Sequence, residues 1–244
     1  MNFKKFRQKF IALTDFEQDF LKIMSLAYEP VNQTTLVSLL NECDIKTAHG
    51  IQFNGTIVKG CWQKLSDDWL SFRKENKVEI KPKLTEWVMR MVAVDKRFDE
   101  WVREIQGLLP YRQWHRPLSF EAAIRELRMA LYQNRISGIS EILRDINMYY
   151  PFKFGESKFF EKFFHPFSPK WLATFPPAIQ NNALDQLVSE ALIHLKPVDE
   201  YVNFMLESPH LADVNNGKIV RSLLRNIFLC QGKLAEAGTL LTKE

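Results

Sequence analysis

Cysteine, histidine and acidic side chains most often carry catalysis or bind metal ions, and in this chain they are dispersed. The three cysteines include no CxxC pair, and the five histidines include no pair at i, i+4 spacing and no HExxH motif. Acidic pairs such as Asp67-Asp68 and Asp99-Glu100 are adjacent in sequence, so on a helix their side chains diverge and cannot act together as acid and base. The sequence therefore predicts no catalytic residue and no metal site.

Nucleotide chemistry is equally unsupported by the glycine pattern. The nine glycines are scattered singly, without a GxxxxGK[ST], GxGxxG or GxSxG arrangement to cradle a phosphate or to present a nucleophile. We therefore expect a protein that acts by binding, without a cofactor and without enzymatic activity.

Composition predicts a globular protein of the cytoplasm. Of the 244 residues 46% are hydrophobic, enough for a buried core, and 25% are charged, which keeps the surface solvated. No apolar run approaches the roughly 20 residues that a membrane-spanning helix needs. Cysteines at apolar helical positions indicate reduced core residues, as expected in the cytoplasm. These cysteines are Cys43, Cys61 and Cys230.

The first ten residues combine four basic side chains with Phe3, Phe6 and Phe10 near helical spacing. Two interpretations are open. The segment could lie on a membrane surface as a basic amphipathic helix, or its phenylalanines could dock on the domain that follows.

Three helices are predicted next. Thr14 and Glu17 form a capping-box pattern before one apolar helical face, and Asn32 precedes a second. Residues 44–54 predict a turn, and the third helix is predicted at 55–66. Val58, Cys61, Trp62 and Leu65 form the inward face of this third helix. Its opposite face, which we call the polar stripe, consists of Thr56, Lys59, Gly60 and Gln63.

Alternating residues then predict a two-stranded hairpin at 70–81, ended by Pro82. A single long amphipathic helix is predicted from Leu84 to Gly107. The segment 111–117, between two prolines, is the predicted domain boundary, and its aromatic residues predict that it is packed. We therefore expect domains at 1–110 and 117–244.

The C-terminal half reads as consecutive helices. An antiparallel helix hairpin is predicted at 120–146, and further helices at 156–164, 170–175, 179–195, 198–207, 218–231 and 234–241. Five phenylalanines between 159 and 167 favour core packing, with a groove for a partner helix or a lipid surface as the alternative. Residues 229–237 look similar to the helix junction of tetratricopeptide-type repeats. The whole is predicted to be mainly α, ending in an irregular α-solenoid or helical bundle.

The order helix, helix, turn, helix, hairpin resembles the winged helix-turn-helix family over about residues 14–95. The resemblance implies that the helix at 55–66 enters the major groove of DNA and that the hairpin contacts the backbone. It assigns base or phosphate contacts to Thr56, Lys59 and Gln63, close approach to Gly60, and phosphate contacts to Arg73, Lys74 and Lys77.

Two functional hypotheses follow. Residues 53–83 hold seven basic and four acidic residues, a surplus of three, which permits DNA binding without requiring it. In the first hypothesis the winged helix binds duplex DNA and the helical domain binds a protein partner. In the second the chain is purely a protein-interaction scaffold, such as the N-terminal part of a larger bacterial regulatory or helicase-type protein. Exposure of the polar stripe is the observation that bears most on this choice.

Overall fold

The computed structural model describes residues 3–72, 77–114, 116–209 and 216–241. The chain is mainly helical, with a small antiparallel sheet, and divides into two compact units, Met1–Lys153 and Phe154–Glu244. The predicted helical class is thereby confirmed.

The first unit holds both of the two-stranded ladders in the described residues. Its elements are α1 (Phe3–Ile11), α2 (Asp15–Ala27), α3 (Gln33–Glu42), α4 (Gly55–Leu65), β1 (Leu70–Phe72), β2 (Val78–Ile80), α5 (Pro82–Val92), α6 (Phe98–Leu108), β3 (Arg112–Gln113), β4 (Arg116–Pro117), α7 (Phe120–Tyr132) and α8 (Ile136–Tyr149). A further helix, α9 (Pro151–Ser157), spans the division between the units.

The helices of the first unit begin where the sequence carries capping residues. Asn32 accepts a hydrogen bond from the backbone N–H of Thr35 at 2.8 Å, which satisfies one of the free amides at the start of α3. At α2 the Glu17 carboxylate accepts from the backbone N–H of Thr14 at 3.0 Å and from its hydroxyl at 2.7 Å. These local hydrogen bonds fix both helix starts at the predicted residues.

The β1–β2 sheet, which follows α4 in the chain, is extended by a single bridging residue on its other side. β1 pairs antiparallel with β2, with Leu70 opposite Ile80. Val31, between α2 and α3, exchanges two backbone hydrogen bonds of 2.9 Å with Val78 on the other side of β2. β2 is therefore the central strand. The predicted hairpin is present in its strands, while its turn, 73–76, lies outside the described residues.

The long helix predicted from Leu84 to Gly107 is wrong in one respect, because the structure has two helices there, α5 and α6. Asp95 accepts a hydrogen bond from the backbone N–H of Arg97 at 3.1 Å in the connection between them. Lys22 on α2 pairs with Asp95 at 2.8 Å, and Arg97 pairs with Asp19 at 2.7 Å. These ion pairs fasten the connection to α2.

Helix α7 is the most enclosed element, since every residue from 122 to 131 is buried. Arg125 and Arg128 are each about 1% exposed. Arg125 pairs with Glu29, and Arg128 pairs with Glu86 at 2.8 Å. Buried guanidinium groups are tolerated only with such partners. Helix α7 is thus joined to elements that precede the predicted boundary at 111–117, and independent folding of 1–110 and 117–244 stays a prediction.

The first helix resolves one alternative left by the sequence. Phe10 is buried, and its ring packs edge-on against Trp69 and Trp87, with centroids 5.8 and 5.6 Å apart. The Phe6 ring contacts Trp69 at 5.9 Å. Phe6 and Phe10 therefore pack on later elements of the first unit, as one of the two interpretations predicted, and the side chain of Phe3 lies outside the described residues.

The second unit continues with α10 (Phe159–Phe163), α11 (Pro169–Leu172), α12 (Pro177–Ile193), α13 (Asp199–Glu207), α14 (Asn216–Cys230) and α15 (Leu234–Leu241). The helix predicted at 156–164 is interrupted at Lys158, which takes a left-handed φ of 51°. Phe160, Phe163 and Phe164 are buried, and the Phe163 ring stacks on Trp171 at 5.0 Å. The aromatic stripe is therefore core, as favoured from the sequence.

Four helices end in the same way. After each of α3, α7, α12 and α14 one residue turns left-handed and the next donates a backbone hydrogen bond to the carbonyl five positions back, which satisfies a free carbonyl of the last turn. The left-handed residues are Asp44, Asn134, Leu195 and Gly232. This closure turns α7 into α8 and α14 into α15 within a few residues, forming the helix hairpin predicted at 120–146 and a second hairpin from the last two helices.

Candidate nucleic-acid interface

Helix α4 has one buried and one exposed face. Val58, Cys61, Trp62 and Leu65 are all buried. The four residues of the polar stripe, Thr56, Lys59, Gly60 and Gln63, are all exposed to solvent. The structure thus places these four predicted site residues together on one open surface.

The start of α4 is held to α3 by polar side chains. Asn41 donates to the carbonyl of Phe53 at 3.0 Å and accepts from its N–H at 2.9 Å, as a backbone partner would. Gln33 donates to the carbonyl of Gly55 at 2.5 Å, and a Cβ on Gly55 would lie 2.7 Å from the Gln33 amide nitrogen. Asn54 caps the helix by accepting from Ile57 at 3.0 Å. The polar stripe is therefore presented by a rigidly anchored helix.

Gly60 lies in the middle of α4 with no neighbour that explains it. A Cβ added there would meet nothing within 4 Å among the described residues. Glycine inside a helix costs roughly 0.5–1 kcal/mol relative to alanine. The missing side chain thus leaves the stripe flat without a packing benefit to the chain itself.

The charges around the stripe are partly neutralised. Lys64 pairs with the buried Glu17 at 2.5 Å, and Lys9 pairs with Asp68 at 2.6 Å. Of the two acidic residues just beyond the end of α4, Asp67 and Asp68, the second is therefore compensated from α1. Lys59 forms no ion pair within the described part of the chain, so its ammonium group is available to an external anion.

Burial and hydrogen bonding act on the pKa of Glu17 in opposite directions. Burial, the largest influence, raises it, but hydrogen bonds from the Lys64 ammonium and from Thr14 together outweigh burial and lower the pKa below its ordinary value. Glu17 is therefore ionised near neutral pH and keeps Lys64 occupied.

The hairpin contributes less to the described site. Lys77 is half-buried at the start of β2. The other two predicted phosphate contacts, Arg73 and Lys74, lie outside the described residues. Of the seven predicted site residues the structure thus brings four together on α4 and places a fifth at the hairpin.

Two of the cysteines are chemically quiet. Burial raises the pKa of the Cys43 thiol to about 12 and that of Cys61 to about 11. Both are therefore protonated near neutral pH, and the thiolate is the reactive form. Across the described ranges, no group of three histidine, cysteine or acidic side chains is arranged to hold a metal ion.

One exposed aromatic residue was missed from the sequence. Trp114, in the segment predicted to be packed, is 88% exposed between β3 and β4, whereas Tyr111 at the start of that segment is half-buried. The tight register of Gln113 opposite Arg116 leaves no core for the indole to enter. The signal in the sequence was the run of polar and basic residues on both sides of this tryptophan.

Comparisons of the chain with protein-family models, with curated proteins and with solved structures give no match. None of the helices that the structure describes is both long and apolar enough to cross a membrane.

Proposed function

We propose that residues 14–95 form a winged helix-turn-helix module that binds duplex DNA, with α4 as the recognition helix. The order α2, α3, α4, β1, β2 supports this proposal, as does the pairing of Val31 with Val78, which adds the short first strand that such a module carries. In such a module the recognition helix lies beside the hairpin, so that both face one duplex.

The observation that carries the proposal is the exposure of the whole polar stripe on an anchored helix. In the groove, Lys59 contacts a phosphate or a base acceptor, while Thr56 and Gln63 offer hydrogen-bonding groups to base edges. Gly60 has no side chain, so the backbone of α4 can approach the floor of the groove at this position, which accounts for a glycine there. Lys77, with Arg73 and Lys74, holds the DNA backbone from the hairpin.

The helical part from residue 117 onward, which we propose to be an irregular α-solenoid, provides a surface for a protein partner. Paired helices such as α14 and α15 bury one face against each other and leave the opposite faces available to a partner.

A second candidate function is favoured by the small number of free cations. Lys59 is the only charged residue on the polar stripe, and Lys64 and Lys9 are occupied by Glu17 and Asp68. A weakly charged stripe suits a protein surface as well as a groove. In this alternative the chain is purely a protein-interaction scaffold, and the same exposed polar stripe contacts a protein instead of nucleic acid.

Titration of a fluorescent duplex by the full chain at several salt concentrations tests the first function. Each phosphate contact contributes about −0.9 to the slope of log K against log salt. Lys59→Ala is expected to make that slope shallower by about 0.9 if the ammonium binds a phosphate. Lys96→Ala, which removes the same charge from the exposed α5–α6 connection, is the matched control and should leave the slope unchanged.

Two results of this titration would count against DNA binding by the polar stripe. Absence of binding at low salt, or equal effects of the Lys59 and Lys96 substitutions, rejects the polar stripe as a DNA surface. The scaffold function then stands as the better proposal for this chain.

A further inference from the structure

We propose that the β3–β4 hairpin is a second nucleic-acid contact, in which the indole of Trp114 stacks on an unpaired base next to a duplex. This inference rests on the proposed function of the same unit and extends it from duplex DNA to a junction between duplex and single strand. The ligand class is single-stranded nucleic acid, held by stacking and by arginine.

The hairpin is anchored firmly at its base. Arg112 pairs with Glu141 at 2.5 Å and donates from its Nε to the buried Asp145 carboxylate at 2.8 Å. The hydroxyl of Tyr111 donates to the same carboxylate at 3.4 Å. Two neighbouring side chains of the hairpin are thus fixed to one helix, α8.

The other end of the hairpin is equally closed. Leu118 donates from its backbone N–H to the carbonyl of Tyr111 at 2.7 Å. The hydroxyl of Tyr150 donates to the carbonyl of Pro117 at 3.3 Å. Gln113 lies opposite Arg116, so the strands pair immediately before and close after Trp114. The tip of the hairpin is therefore held by rigid elements on both sides.

Trp114 is placed at this tip against its intrinsic preferences. Its φ is 63°, a left-handed value that is a genuine outlier for a bulky residue, although a tight hairpin requires it. Its ring is 88% exposed, whereas Trp62, Trp69 and Trp101 are buried. Trp114 thus combines a left-handed backbone with an aromatic face that is open to an external contact.

The charges beside the indole decide the kind of contact. Arg116, two residues away, is exposed, and Arg144 is exposed on the helix that anchors the hairpin. Arg112 is engaged with Glu141 and Asp145, and Glu141 also interacts with Arg144, so Arg116 is the cation that we assign to the phosphates. An aromatic face with neighbouring guanidinium groups is the combination that holds single strands, the ring for a base and the cations for the phosphates.

Anisotropy titrations with two fluorescent ligands test this inference on the full chain. One ligand is a blunt duplex, and the other is the same duplex with a single-stranded oligothymidine extension of about 10 nucleotides. Trp114→Ala is expected to lower affinity for the extended ligand about 5- to 150-fold, the range of one lost base stack, and to leave the blunt duplex unaffected. Trp114→Phe should restore most of the binding because it keeps an aromatic face.

The control is Phe152→Ala, which removes a comparably exposed aromatic ring, 85% exposed, from α9. It should bind both ligands as the unmodified chain does. Arg116→Ala should weaken the extended ligand and make its salt dependence shallower.

The outcomes separate the two proposals. Equal affinity of the unmodified and Trp114→Ala chains for the extended ligand overturns the stacking inference, even where the blunt duplex binds through Lys59. The stacking inference is also overturned, in favour of a membrane surface, if Trp114→Ala reduces sedimentation of the chain with phosphatidylserine vesicles and leaves its affinity for the extended ligand unchanged. In a third outcome the chain does not bind the blunt duplex but binds the extended ligand in a way that depends on Trp114. That result rejects duplex binding, and with it the junction between duplex and single strand, and supports base stacking by Trp114 alone.

Discussion

Replacing Arg128 by alanine is expected to destabilise the first unit severely. The side chain donates to Glu86 at 2.8 Å and to the carbonyl of Ser25 at 3.2 Å, and its guanidinium lies 4.0 Å from the centre of the Tyr28 ring. Its removal leaves the half-buried Glu86 carboxylate, 16% exposed, and the buried carbonyl of Ser25 without this partner, and removing one partner of such a pair costs about 3–5 kcal/mol. We expect the loss of unfolding free energy to fall in that range.

For a unit of this size, 1 kcal/mol shifts the melting temperature by about 2–4 °C, so the expected decrease is about 6–20 °C. Intrinsic tryptophan fluorescence during urea or thermal unfolding is the suitable measurement. Five of the six tryptophans, at 62, 69, 87, 101 and 114, belong to the first unit, so the signal reports mainly on that unit.

Two further variants make the result decisive. Lys46→Ala removes a cation that pairs with Asp44 at 3.0 Å on the surface, and it should cost less than about 1 kcal/mol. Arg128→Met combined with Glu86→Leu removes both charges at nearly constant volume and should be closer to the unmodified chain than Arg128→Ala. A cost for Arg128→Ala no larger than that of Lys46→Ala would show that the buried pair does not hold α7.

Two other predictions concern stability. Leu195→Gly should stabilise the second unit by about 0.5–1 kcal/mol in urea denaturation, because glycine takes the left-handed φ of 49° found there without strain. Ile193→Gly, at the last residue of α12, should instead destabilise that unit by up to about the same amount. Effects of the same sign would contradict the role of Leu195 in ending the helix. Glu17 has a lowered pKa and Glu126 a pKa raised by burial, despite a hydrogen bond from Gln106. Glu17 therefore contributes stability at pH values above its unfolded pKa of about 4.5, and this contribution is lost as the pH falls through its folded pKa. Glu126 has the opposite effect, because its ionised form lowers the stability at pH values above the same unfolded pKa. Glu17→Gln should thus destabilise and Glu126→Gln stabilise at pH 7, with both differences shrinking toward pH 4; pH-independent differences would refute the assignment.

Helix starts and helix faces could be predicted from the sequence because they depend on local interactions. Asn32 and Glu17 act on amides within three residues, so their types and spacing suffice. The two faces of α4 follow from helical periodicity alone. The polar stripe was predicted for that reason, and its exposure required the structure.

Features decided by distant residues could not be predicted. The break between α5 and α6 carries neither proline nor glycine, and Lys22, which fastens Asp95, lies 73 residues away. The exposure of Trp114 depends on the register of the β3–β4 hairpin and on anchoring by Asp145. Aromatic character alone predicts burial, which is why the sequence suggested the opposite.

The buried arginines of α7 also have a consequence for synthesis of the chain. Arg125 reaches Glu29 across 96 residues, and Arg128 reaches Ser25 across 103. At about 5–20 residues per second, a ribosome needs about 5–20 s to make that length, so α2 leaves the exit tunnel long before its partners exist. During that interval Glu29 and the carbonyl of Ser25 remain hydrated. Helix α2 therefore reaches its final packing only after α7 has emerged.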